Sequence, residues 1–237
     1  MKNIITIINH DFKNFLTYRI IHMIVIISAV FALAMGIFHT INPLIFVYIS
    51  IFIITVITNS VTLFIEKEEQ SILPIPIDTL KITQVIPAKL LSSLILQLIP
   101  MLFYLIIMKF ILNSNFSTLL FIITYILGLI IHIMVGFSIT LICNNHVKMA
   151  LMYVGYIILF SLIPFLSLMN LIPSSLSYLL IVSPGYSIGI LFENIFLRYL
   201  YSDLLLVILA SVVPIIYVII LLFSFIKPYY TQLLKVK

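Results

Sequence analysis

Charge is scarce in this sequence. Asp, Glu, Lys and Arg make up 8% of the residues, against about 25% in soluble domains. Hydrophobic residues fill 64% of the 237 positions, and mean hydropathy is +1.34. A globule of this length has too little interior to hide so much apolar surface, so lipid is the solvent for most of the chain. A soluble enzyme, a nucleic-acid-binding domain and a disordered chain are excluded on the same ground. The single cysteine, Cys143, excludes an internal disulfide framework and a multi-cysteine metal site. Tryptophan is absent, and none of the six glycines lies in a Gly-x-x-x-x-Gly-Lys-Ser/Thr phosphate loop, so the chain has no ATPase site of that kind.

Further absences narrow the chemistry. There is no His-Glu-x-x-His zinc pattern and no Gly-x-Ser-x-Gly elbow. No acid falls within the long apolar runs, where aspartyl proteolysis or ion coupling would need one. His132 is the one group of suitable pKa at depth, and a lone histidine among apolar neighbours reads as a packed, hydrogen-bonded residue. A haem between His22 and His132 is disfavoured, since the two lie at different depths. No catalytic or metal-binding residue is assigned, no cofactor is expected on the chain, and it is read as a non-enzyme.

Charged residues are missing from 20–65, 90–108, 110–147, 149–192 and 204–226. A helical crossing takes about 20 residues. The first run holds two crossings broken near His39–Pro43, and the others hold one each. The expected fold is all-α, a single transmembrane domain over 1–237. Its six spans lie at roughly 20–38, 43–65, 90–111, 118–143, 150–169 and 204–226. Pro173 and Ser183-Pro184-Gly185 break the outer segment before the sixth span, where Ser183-Pro184 is a good helix start and Gly189 permits close packing. Ahead of the first span, Ile5, Ile8, Phe12, Phe15 and Leu16 recur at helical spacing, as in an amphipathic helix lying on the inner leaflet. Ala32-Leu33-Ala34 resembles a signal-peptide cleavage site, but so long a lead favours a retained span.

Lys and Arg set the orientation. Lys2, Lys13, Arg19, Lys67, Lys81, Lys89, Lys148, Lys227, Lys235 and Lys237 fall on one side of a six-span topology, and only Lys109 and Arg198 on the other. Both termini are expected in the cytoplasm, and the net charge of +5 is a topology signal that needs no nucleic-acid partner. Plentiful Ile and Asn with little Ala fit AT-rich coding, so the expected location is a bacterial plasma membrane.

The loop 66–89 concentrates the acids. It runs from Glu66-Lys67-Glu68-Glu69-Gln70-Ser71-Ile72-Leu73 through Pro74 and Pro76 to Asp78-Thr79-Leu80 and Lys89. Three acids in the first turn suit a helix N-terminus, whose dipole end is positive. Ile72 and Leu73 supply an apolar contact, and the prolines end the helix. A solvated loop with ordinary gatekeeping charges is the plainer alternative.

These residues resemble the cytoplasmic loop of type 2 ATP-binding-cassette (ABC) exporter permeases. In that family a Glu, a basic residue and a second Glu leave span two. An aliphatic stretch, a Thr-Pro turn and a Lys opening span three follow. Gln70 stands where the family has a small Gly, and Thr79 where it has the turn proline. Asn144–Lys148 and Leu179–Gly185 are similar to its drug- and peptide-export branch. The resemblance implies a permease dimer, homomeric or with a paralogue, and two copies of a separate ABC ATPase that carries ATP and Mg. It also implies a coupling helix in which Glu66, Glu68 and Glu69 face basic groups on the ATPase while Ile72 and Leu73 fill its groove. The implied cargo is hydrophobic or amphipathic, moved outward. The alternatives are a non-transporting immunity or scaffold protein and a secondary transporter.

Thr55, Thr58, Asn59 and Thr62 form a polar stripe at i, i+3, i+4 and i+7. Such a stripe is either glue between helices or, as the resemblance favours, the lining of a substrate path. Tyr153, Tyr156 and Phe160 form an aromatic stripe on the fifth span, either core packing or the wall of that path. Ser28, Ala32 and Gly36 permit close approach of another helix, in the same chain or across a dimer axis.

Overall fold

The computed structural model describes residues 2–38, 42–68, 82–168, 171–197 and 204–228, and every regular element among them is helical. Helix α1 spans Lys2–Thr17 and α2 Ile20–Ile37. Helix α3 spans Leu44–Glu68, α4 runs through Ile82–Ile106 and Ile107–Ile111, and α5 spans Thr118–Ile142. Helix α6 joins His146–Tyr156, Ile157–Ser161 and Leu162–Leu168. Short α7 (Ser177–Leu180) and α8 (Pro184–Leu197) precede α9 (Leu204–Ile226).

Helices α2, α3, α4, α5 and α9 are each long and apolar enough to cross a membrane. The chain is therefore an all-α, membrane-embedded protein. The expected span 150–169 falls on α6, whose apolar stretch His146–Phe160 is shorter than the other five. Lipid is the natural neighbour of the large side chains that α2 and α9 turn outward, such as Ile26, Leu33, Leu205 and Ile219.

Helix α5 is the hub, buried on nearly every side from Ile131 to Leu141. Ser117 caps its start by accepting from Leu120 N, and Asn145 caps α6 by accepting from Lys148 N at 2.8 Å. Close packing of α3 on α5 depends on Gly136: a Cβ there would lie 3.1 Å from the Val56 carbonyl oxygen. Two hydrogen bonds lock that approach. Ser60 Oγ donates to the Gly136 carbonyl at 3.2 Å, and Thr140 Oγ1 to the Ser60 carbonyl at 2.9 Å. Helix α8 begins at Pro184, as Ser183-Pro184 implies, and packs against α5 and α9. A Cβ on Gly189 would overlap the Tyr48 hydroxyl, so only glycine fits there without moving that ring.

Four of the helices contain a π-helical stretch, at Ser50–Ile54, Ile107–Ile111, Ile157–Ser161 and Leu221–Ile226. Such turns leave backbone carbonyls in need of other donors. The stretches of α3 and α6 face each other, and the Tyr153 hydroxyl donates to the Ile53 carbonyl at 2.8 Å.

Two expectations need correction. Helix α3 continues to Glu68 and α4 begins at Ile82. Lys89 therefore sits inside a helix instead of at its edge, because hydrogen-bonded turns do not stop at the first charge. On α1 the buried face is Ile7, Asp11 and Phe15, whereas Ile5 and Leu16 are each 54% exposed. The helix has an apolar outer face as expected, and a second face, carrying an acid, that docks on α4.

Candidate functional site

An ion cluster is buried where α1 meets the last turns of α3 and the first turns of α4. Asp11, Glu66 and Lys89 are exposed by only 1%, 1% and 3%. The Lys89 ammonium donates to Asp11 Oδ1 and, at 2.7 Å, to Glu66 Oε2. Ser92 Oγ donates to Asp11 Oδ2 at 2.6 Å, and Asn14 Nδ2 to Glu66 Oε1 at 3.1 Å. Each carboxylate thus has an ammonium on one oxygen and a neutral donor on the other. Burying these charges is tolerable only because they are paired in this way. His10, Asp11 and Glu66 bring three possible metal ligands within 4.8 Å. Lys89 supplies the positive charge between the two carboxylates, which makes this corner an ion-pair cluster.

The acidic head read from sequence divides among different tasks. Glu66 is committed to Lys89 inside the chain, which overturns the expectation that it faces an external basic group. Lys67 turns to the end of α5, donating to the Cys143 carbonyl at 2.7 Å and the Thr140 carbonyl at 3.3 Å. It caps α5 in the manner of a basic residue at a helix C-terminus. Glu68 is exposed and pairs with His146 Nε2 at 3.1 Å, while the His146 ring lies 4.3 Å from that of Phe64. Glu69, Ile72 and Leu73 lie outside the described residues.

Above the cluster, the polar stripe of α3 is buried and hydrogen-bonded. Thr58 Oγ1 donates to the Ile54 carbonyl at 2.8 Å, Asn59 Nδ2 to the Thr55 carbonyl at 2.6 Å and Thr62 Oγ1 to the Thr58 carbonyl at 2.5 Å. Across the interface Gln97 of α4 donates to Thr58 Oγ1 at 2.7 Å and accepts from Thr55 Oγ1 at 3.4 Å. Here the stripe joins two helices. Sequence reasoning missed Gln97, although it is the one amide in the run 90–108. Replacing Gln97 with Leu is expected to cost about 0.6 kcal/mol and at most about 1.7, the range for hydrogen bonds between membrane helices. Thermal unfolding in nanodiscs would measure it, with Thr58→Val as the partner in a double-mutant cycle.

The aromatic stripe also finds places. Tyr156 is buried with its ring 5.4 Å from Phe160 and edge-on to His132 at 5.9 Å. The His132 ring donates from Nδ1 to the Gly128 carbonyl at 2.7 Å and meets Phe52 edge-on at 4.3 Å. It is packed and hydrogen-bonded, as a lone intramembrane histidine should be. The small stripe of α2 faces α4 of the same chain: Ser28 and Ala32 are buried, and a Cβ on Gly36 would sit 3.8 Å from Ile107 Cγ2.

Neither a family model, nor a curated protein, nor a solved structure matches this chain.

Proposed function

We propose that the chain is the membrane-spanning permease subunit of an ATP-driven ABC exporter. Its cargo is hydrophobic or amphipathic, and the energy comes from a separate ATPase. The observation that carries this reading is the Asp11–Lys89–Glu66 cluster at the roots of the segment 69–81. Helices α3 and α4, which deliver that segment, are clamped to each other and to α1 by buried charges. A push on the segment would then reach the bundle through a stiff base. In this reading α6 is the fifth of six spans, and the basic residues place both termini in the cytoplasm of a bacterial cell. Two ATPase copies, holding ATP and Mg, dock on the segments of two permease chains through Glu68, Glu69, Ile72 and Leu73.

The test is the double charge reversal Glu68→Lys with Glu69→Lys, in cells that also make candidate ABC ATPases from the same genome. We expect loss of ATPase co-purification and of ATP-dependent export, with the thermal midpoint of the permease unchanged. Failure of the wild-type chain to retain any ATPase would overturn the reading. Glu66 is unsuited to this test, because its removal disturbs the cluster.

One observation favours a second reading, a carrier driven by the proton gradient. The same cluster gathers two carboxylates and an amine that the charge-free runs leave out of the spans. Efflux that persists without ATP and stops when the gradient is collapsed would select it.

A further inference from the structure

A groove of about 660 Å³ runs down the first two turns of α2, lined by Arg19, His22, Met23, Ile26 and Ile27. All but Ile27 are exposed, Met23 by 41% and Ile26 by 63%, so the groove opens away from the bundle. Its one permanent cation stands at the end where α1 turns into α2, and the apolar side chains follow along the span.

Two features say what occupies it. The first is charge. Arg19 is exposed, and no carboxylate among the described residues pairs with it. No Asp or Glu stands between Asp11 and Glu66 in the sequence, and those two are engaged with Lys89. A guanidinium keeps its charge at any ordinary pH and matches a phosphate with two parallel N–H donors. The second is the backbone. Arg19 is the left-handed residue (φ 56°, ψ 20°) between α1 and α2, in a conformation that glycine takes without steric penalty. An arginine held there at a cost points to a use for its side chain.

Depth agrees with charge. Arg19 immediately precedes the charge-free run 20–65, which places it at the polar edge of the bilayer. Ile26, seven residues on, lies about 10 Å further along the helix, at the level of acyl chains.

We propose that this groove holds one anionic phospholipid, its phosphate on the Arg19 guanidinium and an acyl chain along Met23, Ile26 and Ile27. The exposed His22 ring supplies a further N–H for the headgroup. A zwitterionic lipid brings its own ammonium beside the phosphate, so the guanidinium discriminates against it. The site goes beyond the export reading and does not depend on it.

Because the chain has no tryptophan, a single one reports on its own surroundings. Met23→Trp puts it in the groove, and Ile219→Trp puts it on the outward face of α9. Each full-length variant would be placed in nanodiscs of phosphatidylglycerol mixed with phosphatidylcholine. Bromine on the chains of one lipid or the other then quenches the tryptophan it touches. We expect phosphatidylglycerol to be preferred about fivefold or more at Met23→Trp. At Ile219→Trp the two lipids should quench in proportion to their amounts. Adding Arg19→Gln to the Met23→Trp chain should abolish the preference. Proportional quenching at Met23→Trp would overturn the proposal. So would a preference that survives Arg19→Gln, or one equally strong at Ile219→Trp. No ATPase is present in this test, so it reports on the groove alone.

Discussion

Replacing Lys89 with Met should be the most damaging single change in this protein. It leaves Asp11 and Glu66 side by side in a site from which water is excluded, with their shared counter-charge gone. Breaking a buried pair by removing one partner costs about 3–5 kcal/mol. Here one amine serves two acids, so the upper part of that range is expected. The loss should appear as a lowered thermal midpoint in nanodiscs and as easier proteolysis of α1, which Asp11 ties to α4. A triple variant, Lys89→Met with Asp11→Asn and Glu66→Gln, removes every charge while keeping the shapes. It should recover most of the stability, because the penalty comes from the uncompensated charge more than from the lost bonds. Equal instability of the single and triple variants would show that Lys89 acts by packing, and the electrostatic account would fail.

The second large effect is expected at Gly136. A Leu there must displace the backbone of α3, since the nearest atoms are the Val56 carbonyl oxygen at 3.1 Å and Asn59 Cβ at 3.2 Å. Backbone cannot swing aside as a side chain can. Separating the helices also strains the two hydrogen bonds that cross at Ser60 and Thr140. Overpacking of this kind typically costs about 1–3 kcal/mol, and the added loss of the crossing bonds puts Gly136→Leu at or above the top of that range. Gly155→Leu provides an internal comparison, because the same added side chain meets open space and gains helix propensity. Gly136→Leu should therefore unfold far more easily than Gly155→Leu. Equal midpoints would contradict the close contact of α3 with α5.

The spans were readable because a charge in hydrocarbon is expensive, so stretches lacking charge mark the helices that lipid surrounds. That logic works for α2, α5 and α9, whose limits fall within a residue of the expected spans. It misplaces the facing ends of α3 and α4, since Glu66 and Lys89 are buried together and cancel. A rule that treats every charge as a boundary cannot see charges that solvate each other. Asp11 was missed for the same reason: on α1 it reads as part of a polar face, and its partners lie 78 and 81 residues away. The stripe from Thr55 to Thr62 was plain at helical spacing, but whether it lined a path or joined helices depended on Gln97, on another helix. Ser183-Pro184 and Asn145 act within their own turns, and there local sequence suffices.

The cluster also has a consequence for how the chain is made. Helix α1 is synthesised before the groups that hold Asp11, which come at Lys89 and Ser92. At about 5–20 residues per second, several seconds pass before they emerge. During that interval Asp11 has no counter-charge, and the cost of burying it keeps α1 out of the bundle while α2 and α3 enter the bilayer. Docking of α1 is thus deferred until α4 has been inserted, and a segment made before the bundle settles after it.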